Sequence, residues 1–282
     1  MSPLWRDRVE IFLAPDRVDL TRVARGLRPQ PGLTHPQPCE LRPDADGSPA
    51  VEALGRALGT LAWKNADASV TLSNHFVRLA LVPSAGEVAR GAERLALARH
   101  QLRLVYGERA EAWETILGAS GGGAAVAAAV DPTLGMALRD TLAAANITLK
   151  ALRPFLADAF NSARAFLAPG PAWLAVVEPG RLCVAHLDGA RWLALRSQRV
   201  PGAVEAALPL VLEQCRLAGG IEADTAEVCV VARDAWPGDL APAGRWRFRT
   251  IPAPAAREWA NDQRANDQRA NDQRANHQRA SA

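Results

Sequence analysis

Residues Ile11 to Val23 read IFLAPDRVDLTRV: an apolar run, a proline-containing turn, then apolar and polar positions in alternation. That pattern predicts a β-hairpin with strands near Arg8–Ala14 and Arg17–Arg25. The same order returns at Ala175 to Leu187, AVVEPGRLCVAHL, where Pro179 aligns with Pro15 and Arg181 with Arg17. Self-similarity at one fixed offset in a chain of this length predicts two duplicated halves, each opening on a hairpin.

Between the hairpins the pattern is less regular. Residues 28–49 are rich in proline and read as a long loop, followed by a short helix over Val51–Trp63. Val70–Leu72 and Phe76–Val82 read as strands around Ser73-Asn74-His75, whose small polar residues suit a tight turn. Val88, Ala92, Leu95, Leu102 and Tyr106 recur on one helical face, so an amphipathic helix is expected over Glu87–Tyr106. Trp113–Leu117 and Ala124–Val130 are expected to pair about a glycine cluster at 118–123, which lacks the spacing and the lysine of a phosphate loop and reads as a flexible turn. Asp131 and Pro132 are a cap and first helical residue for a helix running to about Ala145. A strand over Ile147–Leu152 and a helix begun by Pro154, with Phe155, Ala159 and Phe166 toward a core, complete the half.

The second half predicts strands near Ala172–Val177, Leu182–Leu187 and Trp192–Arg199, a helix over Ala203–Leu217 stopped by Gly219-Gly220, and strands over Glu227–Ala232 and Arg245–Ile251. Three strands in meander order, then helix and strand, is the order of a ribonuclease-H-like lobe. The expected organisation is therefore a first lobe over 1–168, a smaller second lobe over 169–255 and a tail over 256–282. Ala260–Arg279 consists of ANDQR three times and ANHQR once. A five-residue period brings no apolar stripe to a helix, so this segment is expected to be disordered and is assigned no function.

Composition changes this picture little. The chain of 282 residues is 49% hydrophobic, enough for a sizeable core, and its net charge of +3 from 33 basic and 30 acidic residues gives no footprint for nucleic acid or anionic lipid. Met1 to Glu10 carries charges where a signal peptide would be apolar, and no stretch approaches the ~20 residues of a membrane span, so a cytoplasmic location without membrane insertion is expected. Cys39, Cys183, Cys215 and Cys229 are widely spaced and read as reduced thiols. The five histidines show no metal-ligand spacing, and no nucleophile elbow occurs.

Four segments carry a resemblance: LSNHFVRLALVP (Leu72 to Pro83), LARHQLRLVYGERAEAWE (Leu97 to Glu114), AAVDPTLGMALRDTLAAANITLKALRPFLADAFN (Ala128 to Asn161) and VVEPGRLCVAHLDGARWLALRS (Val176 to Ser197). Together they resemble the actin-like proteins of bacterial type IV pilus and mannose-sensitive haemagglutinin pilus biogenesis and of type II secretion assembly platforms. The resemblance covers roughly Arg8 to Pro252 in pattern and element order. It implies an α/β fold made of duplicated ribonuclease-H-like units, the actin-like ATPase fold. It also implies a cytoplasmic scaffold that docks on short peptides of inner-membrane assembly proteins, with ATP bound in some members between two glycine-containing hairpin turns and Mg²⁺ held by acidic residues.

The residues at those turns depart from that pattern. Ala14-Pro15-Asp16-Arg17 has no glycine, and Pro15 lacks a backbone donor; Glu178-Pro179-Gly180-Arg181 keeps one glycine but again places a proline in the turn. The strand ending at Ala232 runs into Arg233-Asp234-Ala235 rather than a glycine pair. Asp16, Arg17, Glu178, Gly180 and Arg181 are thus the candidate binding residues of two degenerate phosphate turns, with no catalytic or metal residue assigned. No cofactor is expected. The alternative is a divergent ATPase using Asp16, Glu178 and Asp234 around Mg²⁺, and a second is an unrelated α/β protein whose hairpin similarity is chance. Pro-Asp and Pro-Gly are also ordinary turn dipeptides, and that reading is preferred.

Overall fold

A computed structural model describes residues 7–24, 30–40, 47–61, 63–84, 91–118, 123–167, 170–189, 191–222, 226–234, 241–251 and 253. The glycine cluster at 119–122, the start of the helix expected from Glu87 and the repeat tail lie outside the described residues.

Two five-stranded sheets carry the two lobes. In the first, β1 (Arg8–Leu13) and β2 (Arg17–Ala24) form the hairpin, β3 (Gln30–Pro38) is added at its edge, and β4 (Ala66–Leu72) and β8 (Ile147–Pro154) complete the order β3-β2-β1-β4-β8. In the second, β9 (Pro171–Glu178), β10 (Arg181–Asp188), β11 (Arg191–Arg199), β12 (Ala226–Ala232) and β13 (Trp246–Ile251) stand in the order β11-β10-β9-β12-β13. The two orders are the same, with antiparallel hairpin strands and parallel partners beyond them. One helix joins the third and fourth strands of each sheet, α1 (Ser48–Leu61) in the first and α5 (Val204–Ala218) in the second.

Period-two patterning explains the hairpins. Val9, Ile11 and Leu13 are fully buried on one face of β1, while Glu10 and Phe12 occupy the other, where Phe12 meets the Phe155 ring edge-on at 5.2 Å. Every residue of β4 is buried, as expected of a strand flanked on both sides by parallel neighbours and covered on both faces. Residues 28–49 contain a correction: Gln30–Pro38 is a strand, not loop.

The first half also holds an insert between β4 and β8. β5 (Val77–Val82), β7 (Ala125–Val130) and β6 (Glu114–Leu117) form a separate antiparallel sheet in the order β5-β7-β6. It is covered by α2 (Gly91–Tyr106), joined to β6 through a 3-10 turn at Glu108–Ala112. On α2 Leu102 is buried and Tyr106 packs on the small sheet as expected, its hydroxyl donating to Leu79 O at 3.0 Å, with Ala98 buried beside them, while Ala92 is exposed, contrary to expectation. α3 (Pro132–Ala144) starts as expected, with the Asp131 carboxylate accepting from Thr133 N at 2.9 Å. α4 (Phe155–Ala163) buries Phe155 and Ala159, but Phe166 lies beyond its end and is 43% exposed, contrary to expectation.

One continuous apolar core joins the lobes. Ile11, Leu54, Val70 and Leu138 of the first lobe belong to the same cluster as Leu174, Val176, Cys183 and Leu187 of the second, with Phe160 of α4 against Trp192 of β11 at 4.8 Å between ring centres. A second cluster lies under α5, around Trp173, Leu182, Leu208 and Trp246. Among the described residues no helix is long and apolar enough to cross a membrane.

Candidate functional site

The two hairpin turns are built alike down to their hydrogen bonds. Leu13 pairs with Val18 across the first hairpin, and Val177 with Leu182 across the second, and each hairpin keeps that register to its far end. The residue after the fourth strand donates to an equivalent position near the end of the first strand in both lobes: Ser73 N to Leu13 O at 2.9 Å, Arg233 N to Val177 O at 3.0 Å. The residue after the third strand closes the turn in both: Cys39 N to Asp16 O at 2.8 Å, Val200 N to Gly180 O at 2.9 Å. Gly180 has φ of 70°, a left-handed conformation that suits glycine, whereas the equivalent position in the first lobe is Asp16.

Each hairpin turn is held by the opposite lobe. Asp16 accepts from Arg233 Nη1 at 2.8 Å, and Arg17 donates to Asp234 Oδ1 through Nη2 and to Asp19 through Nε. The Arg233 guanidinium, whose side chain is 5% exposed, also lies 3.7 Å from Asp19 and 4.7 Å above the Phe12 ring. At the other turn the buried Glu178 carboxylate accepts from Asn74 N at 2.9 Å, and the His75 ring meets Pro179 O at 3.0 Å through Nε2. Asn74 is itself tied to α4, its Oδ1 accepting from Leu156 N at 3.1 Å. The partners are symmetric. Arg233-Asp234 follows β12 and Ser73-Asn74 follows β4, so each lobe's hairpin turn is clasped by the equivalent segment of the other.

Electrostatics follow from this arrangement. Burial works to raise the Asp16 pKa, but the hydrogen bond and charge of Arg233 outweigh it, and the carboxyl titrates below the usual range. For Arg17 burial is likewise outweighed, by Asp234 and Asp19, and the guanidinium is held more firmly charged. Burial dominates at Glu178, whose pKa is raised despite hydrogen bonds from Ser73 and Asn74. His75 is pushed down to about 4 by burial, with the charges of Arg181 and Arg199 adding to the effect.

Of the five candidate residues, Asp16 and Arg17 meet Arg233 and Asp234 across the lobes, while Glu178 and Gly180 line a cavity of about 290 Å³. That cavity is completed by Pro179, Ala203, Glu205 and Asp234 at the start of α5. Arg181 turns elsewhere. It is 6% exposed and, among the described residues, has no hydrogen-bond or ion-pair partner. Sequence reading missed Asn74 as the clasp on the second lobe's turn, although its place two residues after the strand end, matching Asp234 after β12, is a usable signal once the hairpins are aligned.

Comparison with solved structures fits this duplicated architecture. The cytoplasmic domain of EpsL, an inner-membrane component of the type II secretion system of Vibrio cholerae, aligns with TM-score 0.59 at 12% identity over 88% of this chain and 90% of that one. A Bacteroides thetaiotaomicron protein with actin-like ATPase fold and unknown function aligns with TM-score 0.60 at 8% identity, covering 83% and 86%. A chain of the PilM-PilN type IV pilus biogenesis complex aligns with TM-score 0.58 at 13% identity, covering 80% and 81%. No protein-family model and no curated protein matches the sequence. The chain has the actin-like ATPase fold.

Proposed function

We propose that this protein is a non-catalytic, actin-like docking scaffold of a pilus or secretion assembly machine, working at the cytoplasmic face of the inner membrane through partner proteins. The observation that carries the reading is the reciprocal clasp. In an actin-like fold the two hairpin turns must offer free backbone donors to a triphosphate. Here Pro15 and Pro179 supply none, Asp16 and Arg17 are engaged by Arg233 and Asp234, and Glu178 is buried against Asn74. The neighbouring cavity is lined by Glu178, Glu205 and Asp234, of which Glu178 is held by Asn74 N and Asp234 by Arg17. These residues do not fit ATP with Mg²⁺, and no chemical step is assigned to them.

Similarity in fold to the EpsL cytoplasmic domain and to the PilM-PilN complex supports a place in such a machine. The partner is expected to dock through a short peptide segment.

Two measurements test the reading. Tagged inner-membrane pilus or secretion proteins should recover this chain from cell extracts; repeated failure to do so removes the assignment. Nucleotide should leave stability unchanged, whereas a ligand at a hundred times its Kd stabilises a fold by about 2.7 kcal/mol. A shift of that size with ATP and Mg²⁺ makes the protein a divergent ATP-binding member of the fold instead.

A further inference from the structure

Beside the second hairpin turn, on the side facing the inserted sheet, three arginines converge. Arg181 and Arg199 are direct cross-strand partners in the β10–β11 ladder, an arrangement in which like charges repel. Arg78 of β5 reaches the same place, its Nη1 donating to His75 O at 2.9 Å and its guanidinium 5.9 Å from the Trp113 ring centre. Burial and the charges of Arg181, Arg109 and Arg199 all lower the Arg78 pKa, so the cations lie within each other's fields. Arg181 is more than nine-tenths buried, and its Nε has no acceptor among the described residues. Glu178 stands opposite Arg181 in the β9–β10 register, but its Oε2 accepts from Asn74 N and, among the described residues, it forms no hydrogen bond or ion pair with Arg181. A buried donor without an acceptor costs stability, and an anion arriving from outside would offset that cost.

We propose that Arg78, Arg181 and Arg199 form a carboxylate seat that receives an acidic side chain of the docking partner's peptide, with the peptide laid against Trp113. The inference rests on the docking reading above and names the chemistry of the segment that docks. Guanidinium forks match carboxylates in bidentate geometry, and the seat is built from side chains, with the turn's own prolines offering no amides for a phosphate.

The test uses the full chain and a fluorescein-labelled, capped hexaglutamate peptide, followed by anisotropy, with hexaglutamine as the neutral control. Hexaglutamate should bind and hexaglutamine should not. Affinity should fall about tenfold or more with the exposed substitution Arg199→Glu and with Arg181→Met, and should weaken at about 0.5 M salt. Because Arg181→Met removes a buried charge that lacks a partner, it should also raise Tm by about 2 °C or more. A purely structural Arg181 would give the opposite sign. Absence of hexaglutamate binding, affinity unaffected by both variants, or displacement of the peptide by micromolar ATP or inorganic phosphate overturns the proposal. Hexaglutamate binding without recovery by any pilus or secretion protein would leave the seat standing and remove the docking assignment alone.

Discussion

Arg233 is the side chain on which the lobe-to-lobe clasp turns. It serves Asp16 by a 2.8 Å hydrogen bond, approaches Asp19 and covers the Phe12 ring, all from an almost fully buried position. Replacement Arg233→Met keeps the apolar cover and removes the charge, and should cost about 1–3 kcal/mol in urea denaturation at neutral pH. The pH dependence fixes the cause. The Asp16 pKa is held below its ordinary 3.8, so its contribution is present above that value and is lost as pH falls through the lower folded pKa. The difference between wild type and Arg233→Met should therefore shrink under strongly acidic conditions; a constant difference would point to packing instead. His75 works in a different window. Its folded pKa of about 4 lies below the ordinary 6.5, so the unfolded chain binds the proton more readily and stability falls as pH drops from about 6.5 to about 4. Discounted for the partial exposure of the ring, this amounts to about 1 kcal/mol, and His75→Gln should flatten the profile across that interval. A Gln variant with an unchanged slope between those limits would show that another group titrates there.

The edge of the first sheet shows how an element can be a strand against its composition. β3 carries Pro31, Pro36 and Pro38, which pair with Val23, Asp19 and Arg17 of β2. Cys39 N points inward to Asp16 O, so by alternation the backbone nitrogens of positions 38 and 36 point outward, where a missing N–H disturbs no ladder. The prolines thus blunt an open edge, and a partner peptide is not expected to extend the sheet there. Restoring donors with the double substitution Pro36→Thr and Pro38→Thr should promote edge-to-edge association, seen as a rise in mass by light scattering with increasing concentration. A mass unchanged from wild type would mean that another feature guards the edge. This also explains what was legible beforehand. The bounds of β1, β2 and β9 to β13 follow from apolar runs ended by turn residues, and those runs match the observed strands within a residue or two, whereas the prolines at 31–38 mask a weak strand pattern. On α2 the face through Leu102 and Tyr106 is legible in the sequence, while Ala92, near the described start of the helix, is exposed. At the candidate site the turns themselves were readable, but their clasp was not. Asp16 with Arg233 and Glu178 with Asn74 are contacts between distant parts of the chain, and no local periodicity reports them.

At the scale of the molecule, the two sheets have the same topology yet do not stand as independent bodies. Leu174, Val176, Cys183, Ala185 and Leu187 form the inner face of the second sheet and share one apolar cluster with Leu54, Val70 and Phe155 of the first lobe. Separating the lobes would expose that face and break the clasps at both turns at once. A nucleotide-driven hinge needs the reverse, a cleft whose walls part at low cost and close around the ligand. A shared core clasped at both turns resists opening, as the docking scaffold proposed above requires. It follows that unfolding should be cooperative across the whole described chain, with tryptophan fluorescence and far-ultraviolet circular dichroism tracing coincident urea transitions. Trp192→Ala, which removes the ring packed on Phe160 at the seam, should lower the midpoint by the equivalent of about 3 kcal/mol while leaving the transition single. Two separated transitions in the wild type would show that the lobes are energetically independent, and with that result the argument from a continuous core to a rigid scaffold would fail.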